Sequence, residues 1–362
     1  MKRTHGKRIA IFMQLAVVAS ALGTVLAVAQ TKPAALLILE KRDRSLAIVD
    51  PASLQILGRV PAGEDPHEVV ASRDGKYAYA SNYGGPQSQL NTISVVDLVA
   101  RKPMPPIDLG VLHGAHGLAF AGGKLYFTAE TNKVIGRYDP ASQRIDWILG
   151  TGQDRTHMIV VAPDLEHIFT SNVNSDSISI IEQTLDSNLF GPPPGQGGPG
   201  NAGPPSGAPP GGPQKVWHES IVKIGKGPEG FDVAPEGKEL WAANAHDSSI
   251  SIIDIASKKV EATLSVPWKM ANRLKFTLDG TKVLISDLAG PLVVMDVASR
   301  KEIKRIDVGR GAAGILMEPG GRRAFVAVSP DNKVVVVDLA TLQITGSIAT
   351  GNEPDGLAWA SQ

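Results

Sequence analysis

The sequence predicts an all-β chain folded as a seven-bladed β-propeller, and three observations carry that prediction. The first is a recurring apolar run closed by an acid, which ends at Asp50, Asp97, Asp139, Glu182, Asp254, Asp296 and Asp338. The gaps between these acids are 47, 42, 43, 72, 42 and 42 residues. A fixed period of this length with strand-like texture is how four-stranded blades repeat. The second observation is the punctuation between the runs. Turns such as SRDGK (72–76), PEGK (235–238) and TLDGTK (277–282) separate short alternating, β-branched segments, which favours antiparallel strands over helices. The third is that the two ends of the chain complete each other. The last segment, 351–362, holds the opening turn and first strand of a repeat, and residues 36–60 supply three further strands. Joining them in one blade closes the ring and removes two exposed sheet edges.

The elements follow in a fixed order within each repeat. An opening turn, best written Gly-x-x-Pro-x-Gly, leads into a short apolar first strand. The second strand ends in Asn or a relative, as in YASN (79–82), FTSN (169–172) and WAAN (241–244). The third carries the apolar-acid phrase and the fourth, such as KVEATLSV (259–266), closes the unit. Repeats open at Gly63, Gly110, Gly152, Gly225, near Val266 and at Gly309, with the seventh split between the chain ends.

Two segments stand outside this pattern. Residues 1–29 read as a secretory signal peptide: Lys2, Arg3, Lys7 and Arg8 precede an apolar stretch, and Ala27-Val28-Ala29 offers a small-x-small cleavage site. The propeller domain is then 30–362, a periplasmic or secreted monomer with no membrane insertion after cleavage. Residues 191–213 contain nine glycines and nine prolines in 23 positions. Such a stretch cannot bury apolar surface and is expected as a disordered loop between the third and fourth strands of one blade.

Composition excludes several functions. The chain carries 36 basic and 36 acidic residues, so it has no electrostatic footprint for nucleic acid. It has no cysteine, which removes disulfides, thiol catalysis and thiolate metal sites. No nucleophile elbow, P-loop or dinucleotide fingerprint is present.

The combined signature of YASN, FTSN and WAAN strand ends, the Gly-x-x-Pro-x-Gly opening, the DGK turn and the SIID phrase resembles the YVTN family of β-propeller repeat proteins. The resemblance spans nearly all of the chain after the leader. It implies an exported propeller, similar in fold to seven-bladed lactonases and to the propellers of nitrite and nitrous oxide reductases. Fold likeness of this kind does not specify function.

Candidate chemistry comes from aligning the repeats. Registering first strands on Leu357, Val69, Leu118, Ile159, Phe231, Leu274 and Ile315 places a ring two residues earlier, at Asp355, His67, His116, His157, Glu229, Asn272 and Ala313. Second-strand ends return to the same face and read Glu40, Asn82, Glu130, Asn172, Asn244, Asp287 and Val328. His67, His116 and His157 on consecutive blades, with Glu229, suit Zn, Cu or Fe as a divalent ion. Glu130 or Glu229 would orient an imidazole or activate a bound water. Asp355, Asn272, Arg273, Glu130 and Asn82 are the expected contacts of a small organic ligand. The oxygen-rich sector of Asp355, Glu40, Asn82, Asn272 and Asp287 would suit Ca²⁺ instead. Set against this, Asn at strand ends commonly bonds its own turn, and the repeated closing acid reads as structural.

The sequence is read as an exported binding module with a polar ligand- or metal-binding face at the central channel; the alternatives are a metal-dependent hydrolase of the lactonase kind and an envelope scaffold that holds a protein partner. Whether the chain is an enzyme, and which residues would be catalytic, is undetermined at this level.

Overall fold

Each repeat forms one four-stranded antiparallel sheet, seven in all among the described residues, with the strands in chain order from the centre outward. The computed structural model describes Met1 and residues 34–85, 88–186 and 214–361. The expected leader (1–29) and the Gly/Pro insertion (191–213) lie outside the described residues. Blades 1 to 6 begin with Pro66–Ala71, Ala115–Ala121, Thr156–Val161, Pro228–Val233, Ala271–Phe276 and Ile315–Met317. Blade 7 is the shared one. Its first strand is Pro354–Ala360, which pairs antiparallel with Ala35–Glu40, followed by Ser45–Asp50 and Gln55–Pro61. No helix among the described residues is long and apolar enough to cross a membrane.

The alternation read from the sequence becomes packing between blades. Tyr79 and Ile93 of blade 1 meet Leu118 and Phe127 of blade 2 in one apolar layer. Trp241 of blade 4 stands edge-on to Phe276 of blade 5 at 5.8 Å between ring centroids. Phe325 of blade 6 packs with Leu36 and Ile38 of blade 7. Truncating one of these aromatics to Ala would cost about 3–5 kcal/mol, because the lost transfer energy adds to the cavity left behind.

The repeated closing acid caps the turn that follows it. Asp97 Oδ1 accepts from the backbone N–H of Val99 (2.9 Å) and Ala100 (2.8 Å), and Asp338 does the same for Ala340 and Thr341. Four residues after each such Asp, the chain turns left-handed, at Leu54, Arg101, Gln143, Lys258, Arg300 and Leu342. These carboxylates therefore hold up the fold and take no part in the channel face.

A second irregularity recurs at the other face. The pairing of first and second strands shifts register between Pro66 and Val69, Ala115 and Leu118, Thr156 and Ile159, Pro228 and Gly230, and Ala271 and Leu274. Such bulges re-aim a side chain next to binding sites. The residues inside them are those of the sequence-derived ring, from His67 to Asn272.

Candidate functional site

The ring residues are held at the channel mouth by contacts between neighbouring blades. Thr128 Oγ1 accepts from the Gly117 N–H (2.9 Å) and donates to the His157 carbonyl of the next blade (2.8 Å). Ser171 repeats the pattern one blade on, between the Met158 N–H (3.3 Å) and the Glu229 carbonyl (3.3 Å). Backbones approach so closely here that a Cβ on Gly117 would stand 2.4 Å from His157 O, and one on Gly314 would stand 2.1 Å from Asp355 O. The position after the ring is glycine in four blades and Glu68, Met158 or Arg273 in the other three. Arg273 of blade 5 pairs across the centre with Glu68 of blade 1. Arg273 is buried.

The alignment of second-strand ends needs one correction. Ala129, not Glu130, is the blade-2 equivalent of Asn82 and Asn172, since Ala129 pairs with Ala115 as Asn82 pairs with Pro66 and Asn172 with Thr156. Glu130 is one residue further, in the turn Glu130–Asn132. The ring that reaches the mouth is thus Lys41, Tyr83, Glu130, Val173, Ala245, Leu288 and Ser329, because adjacent strand residues face opposite ways.

The residues of the ring originally read from the strand ends are committed to the fold. Asn82 donates to Thr92 Oγ1 (2.9 Å) and accepts from Ser94 Oγ (3.0 Å). Asn172 and Asn244 likewise bond serine hydroxyls of the third strand, at Ser179 and Ser251, rather than their own turn. Glu40 accepts from Ser45, Arg59 and the Gly351 N–H, and Asp287 from the Lys269 and Met270 N–H groups. Three donors of the proposed oxygen-rich Ca²⁺ sector are therefore already engaged.

The histidines do come together. The His116 and His157 rings lie 3.8 Å apart, tilted by 32°, and His67 is 4.8 Å from His116. His157 Nδ1 stands 2.5 Å from Glu130 Oε1, while Tyr83 donates to Glu130 Oε2 at 2.7 Å. On its other side, His157 Nε2 is 2.9 Å from Glu229 Oε2, without the alignment of a hydrogen bond. Arg155 donates to Glu229 Oε1 at 3.0 Å. Among the described residues, donor atoms of His116, Glu130 and His157 lie within 4.8 Å of one another, and all three residues are buried. His67 and Glu229 stand outside that trio. His67 is instead held by Asp65 (Nε2 to Oδ2, 3.1 Å) and lies 3.7 Å from Asp355.

Charge separates the two central imidazoles. Burial, and then the positive charge of His157, push the pKa of His116 well below the ordinary histidine value, so it is neutral at pH 7. Its Nδ1 is buried with no hydrogen-bond partner. Burial also works against charge on His157, but Glu229 and Glu130 outweigh it and raise its pKa. Burial likewise opposes the charge on Glu229, whose pKa is nevertheless held down at about 2, chiefly by His157. The arrangement is one imidazole between Glu130 and Glu229 whose charged form is favoured, stacked on one whose charged form is disfavoured.

Asp65, Arg155, Tyr83, Lys41 and Glu68 were not singled out from the sequence. A signal existed for two of them. Asp65 and Arg155 adopt φ of 47° and 54°, where blades 2 and 4 place Gly114 and Gly227. A non-glycine residue there costs of order 1 kcal/mol and persists where its side chain is needed. Both side chains face the histidines.

Beside the cluster opens a cavity of about 440 Å³ lined by Lys41, Arg155, Glu229, Lys269, Asn272 and Asp355, among others. Its polar side chains can hold a small ligand or, at the His/Glu trio, an ion.

No protein-family model matches this chain, and no curated protein matches it significantly. Solved structures do. A functionally unknown protein from Desulfotomaculum acetoxidans DSM 771 superposes with a TM-score of 0.66 at 12% identity, covering 90% of this chain and 98% of that one. A candidate 6-phosphogluconolactonase from Bacteroides uniformis ATCC 8492 gives 0.66 at 14% identity, covering 90% and 99%. Kuenenia stuttgartiensis hydrazine synthase gives 0.61 at 17%, covering 81% and 89%. At such identities the likeness establishes the propeller fold alone: the chain is a seven-bladed β-propeller, closed by a blade that its two ends share.

Proposed function

We propose that this chain is an exported propeller binding module that holds a divalent transition metal at its channel mouth. One observation carries the reading: donor atoms of His116, Glu130 and His157 lie within 4.8 Å of one another, all buried, and His116 Nδ1 has no partner. A buried, unpartnered imidazole nitrogen costs about 1–3 kcal/mol, which an ion would recover. Two nitrogens and a carboxylate oxygen suit Zn²⁺, Cu²⁺ or Fe²⁺. They do not suit Ca²⁺, which needs six to eight oxygens. The ion would displace the proton of His157, so affinity should fall in acid. Export rests on the basic-apolar leader and on the YVTN resemblance.

The test is elemental analysis of the untagged protein lacking its leader, beside His116→Ala/His157→Ala. Near-stoichiometric Zn, Cu or Fe in the first and none in the second supports the site. No metal in either after incubation with each ion overturns it. A metal at 100 times its Kd should also add about 2.7 kcal/mol of stability, readable in the same samples.

The cavity beside the trio favours a second reading, a metal-dependent hydrolase, which the candidate lactonase among the fold neighbours makes worth assaying. Lactone hydrolysis abolished by chelator and restored by metal would support it. The scaffold reading, by contrast, requires partner capture that is lost on deleting residues 191–213.

A further inference from the structure

The cavity beside the trio has a charge imbalance that the metal reading alone leaves unused. Each acid on its wall already faces a cation. Glu229 receives Arg155 at 3.0 Å, Asp355 lies 3.5 Å from Lys41, and Glu353 pairs with Arg42. Lys269, on the same wall, forms no ion pair with any described residue, and its side chain is exposed to the cavity mouth. Below, Arg273 is buried and pairs with Glu68. Met270, Leu288 and Ala313 give part of the wall an apolar surface.

The trio supplies three protein donors, and a four-coordinate ion with three protein ligands keeps one position for an outside group. We infer that this position takes the carboxylate of a small organic acid, whose charge faces Lys269 and Arg155 and whose short apolar body lies against Met270 and Leu288. This rests on the metal reading above. The physical reason is that an ammonium without an ion-pair partner among the described residues, lining the same cavity as His116 and His157, favours an anion there over a neutral isostere. A charge-assisted hydrogen bond is about twice as strong as a neutral one.

The probes are butyrate and butyramide, which differ in charge and little in shape, titrated into the untagged protein loaded with Co²⁺. The visible bands of Co²⁺ report exchange at the open position. Butyrate should shift them and butyramide should not, and Lys269→Gln should raise the butyrate concentration required about tenfold. Lys259→Gln, an exposed site on the outer strand Lys259–Ser265, should leave it unchanged. Elemental analysis of every sample separates the two ways of failing. Stoichiometric cobalt with equal response to both probes, or with no response to either, overturns the carboxylate site and leaves the metal site standing. No retained cobalt overturns both.

Discussion

Two positions recur in every blade of this protein, and they are used in opposite ways. At the outer turns the third strand closes on an acid, which is Asp at six of seven copies. Each of the six Asp carboxylates caps N–H groups two or three residues on, as Asp50 does for Ala52 (2.8 Å) and Asp254 for Ser257 (2.7 Å), whereas Glu182 lies within the strand Ser177–Asp186. At the channel mouth the ring position reads Asp355, His67, His116, His157, Glu229, Asn272 and Ala313, which are five residue types in seven places. The first position repeats because six of the seven blades make the same turn. The second varies because the backbone bulge that presents it makes no demand on the side chain, which is left free for chemistry. Constancy at a repeated position thus marks structure here, and departure from constancy marks the candidate site.

That contrast can be broken or sharpened by three substitutions, whose effects should fall in size in the order given. Gly314→Val would drive a side chain into Asp355 O, 2.1 Å from the Cβ position. Overpacking against backbone of this kind should cost about 3 kcal/mol, seen as a lowered midpoint in thermal unfolding. A midpoint within a degree of the native value would show that the ring is more loosely held than its contacts suggest.

Glu219 tests whether irregularity marks function wherever it occurs. It lies on an outer strand, Gln214–Lys223, away from the mouth, and its Oε1 is buried without a partner. Burial raises its pKa above the usual carboxylate value. The folded state therefore binds this proton more tightly than the unfolded chain, so the stability penalty is absent below about pH 4.5. It grows as pH rises through the raised folded value. Glu219→Gln should thus stabilise at pH 7, by less than about 1 kcal/mol because the group is partly solvated, and the gain should vanish near pH 4. Metal content should not change. If it does, the outer strand is coupled to the mouth and position alone is a poor guide.

The smallest effect is expected at the outer turns. Asp338→Ala removes an exposed cap from Ala340, Thr341 N–H and Thr341 Oγ1, and five sister turns remain. The midpoint should move by about 1–2 °C, with metal content unaltered. A loss of metal would place the acid turns in the functional machinery and collapse the comparison.

The sequence by itself determined the architecture: the number of blades, the strand order within each, and the blade shared by Ala35–Pro61 and Pro354–Ala360. It could do so because strand alternation, turn chemistry and a fixed period are local properties, each readable within a few residues, and seven copies average out local ambiguity. It also placed the first-strand ring correctly, since the apolar residue two places on gives a reliable register. The second ring it misplaced by one residue in its functional reading, because no apolar anchor follows the strand end, and a slip of one exchanges the two faces of a strand. That slip is why Asn82 and Glu40 were read as ligands when their polar atoms are spent on Thr92, Ser94, Ser45 and Arg59.

Only the tertiary structure decided which members of the ring meet. His116 joins His157 and Glu130, whereas His67 turns to Asp65, and Glu68 crosses the channel to Arg273. Those outcomes depend on bulge geometry and on which blades face each other across the centre. Residues 205 positions apart in the chain, such as Glu68 and Arg273, leave no local pattern by which either could announce the other.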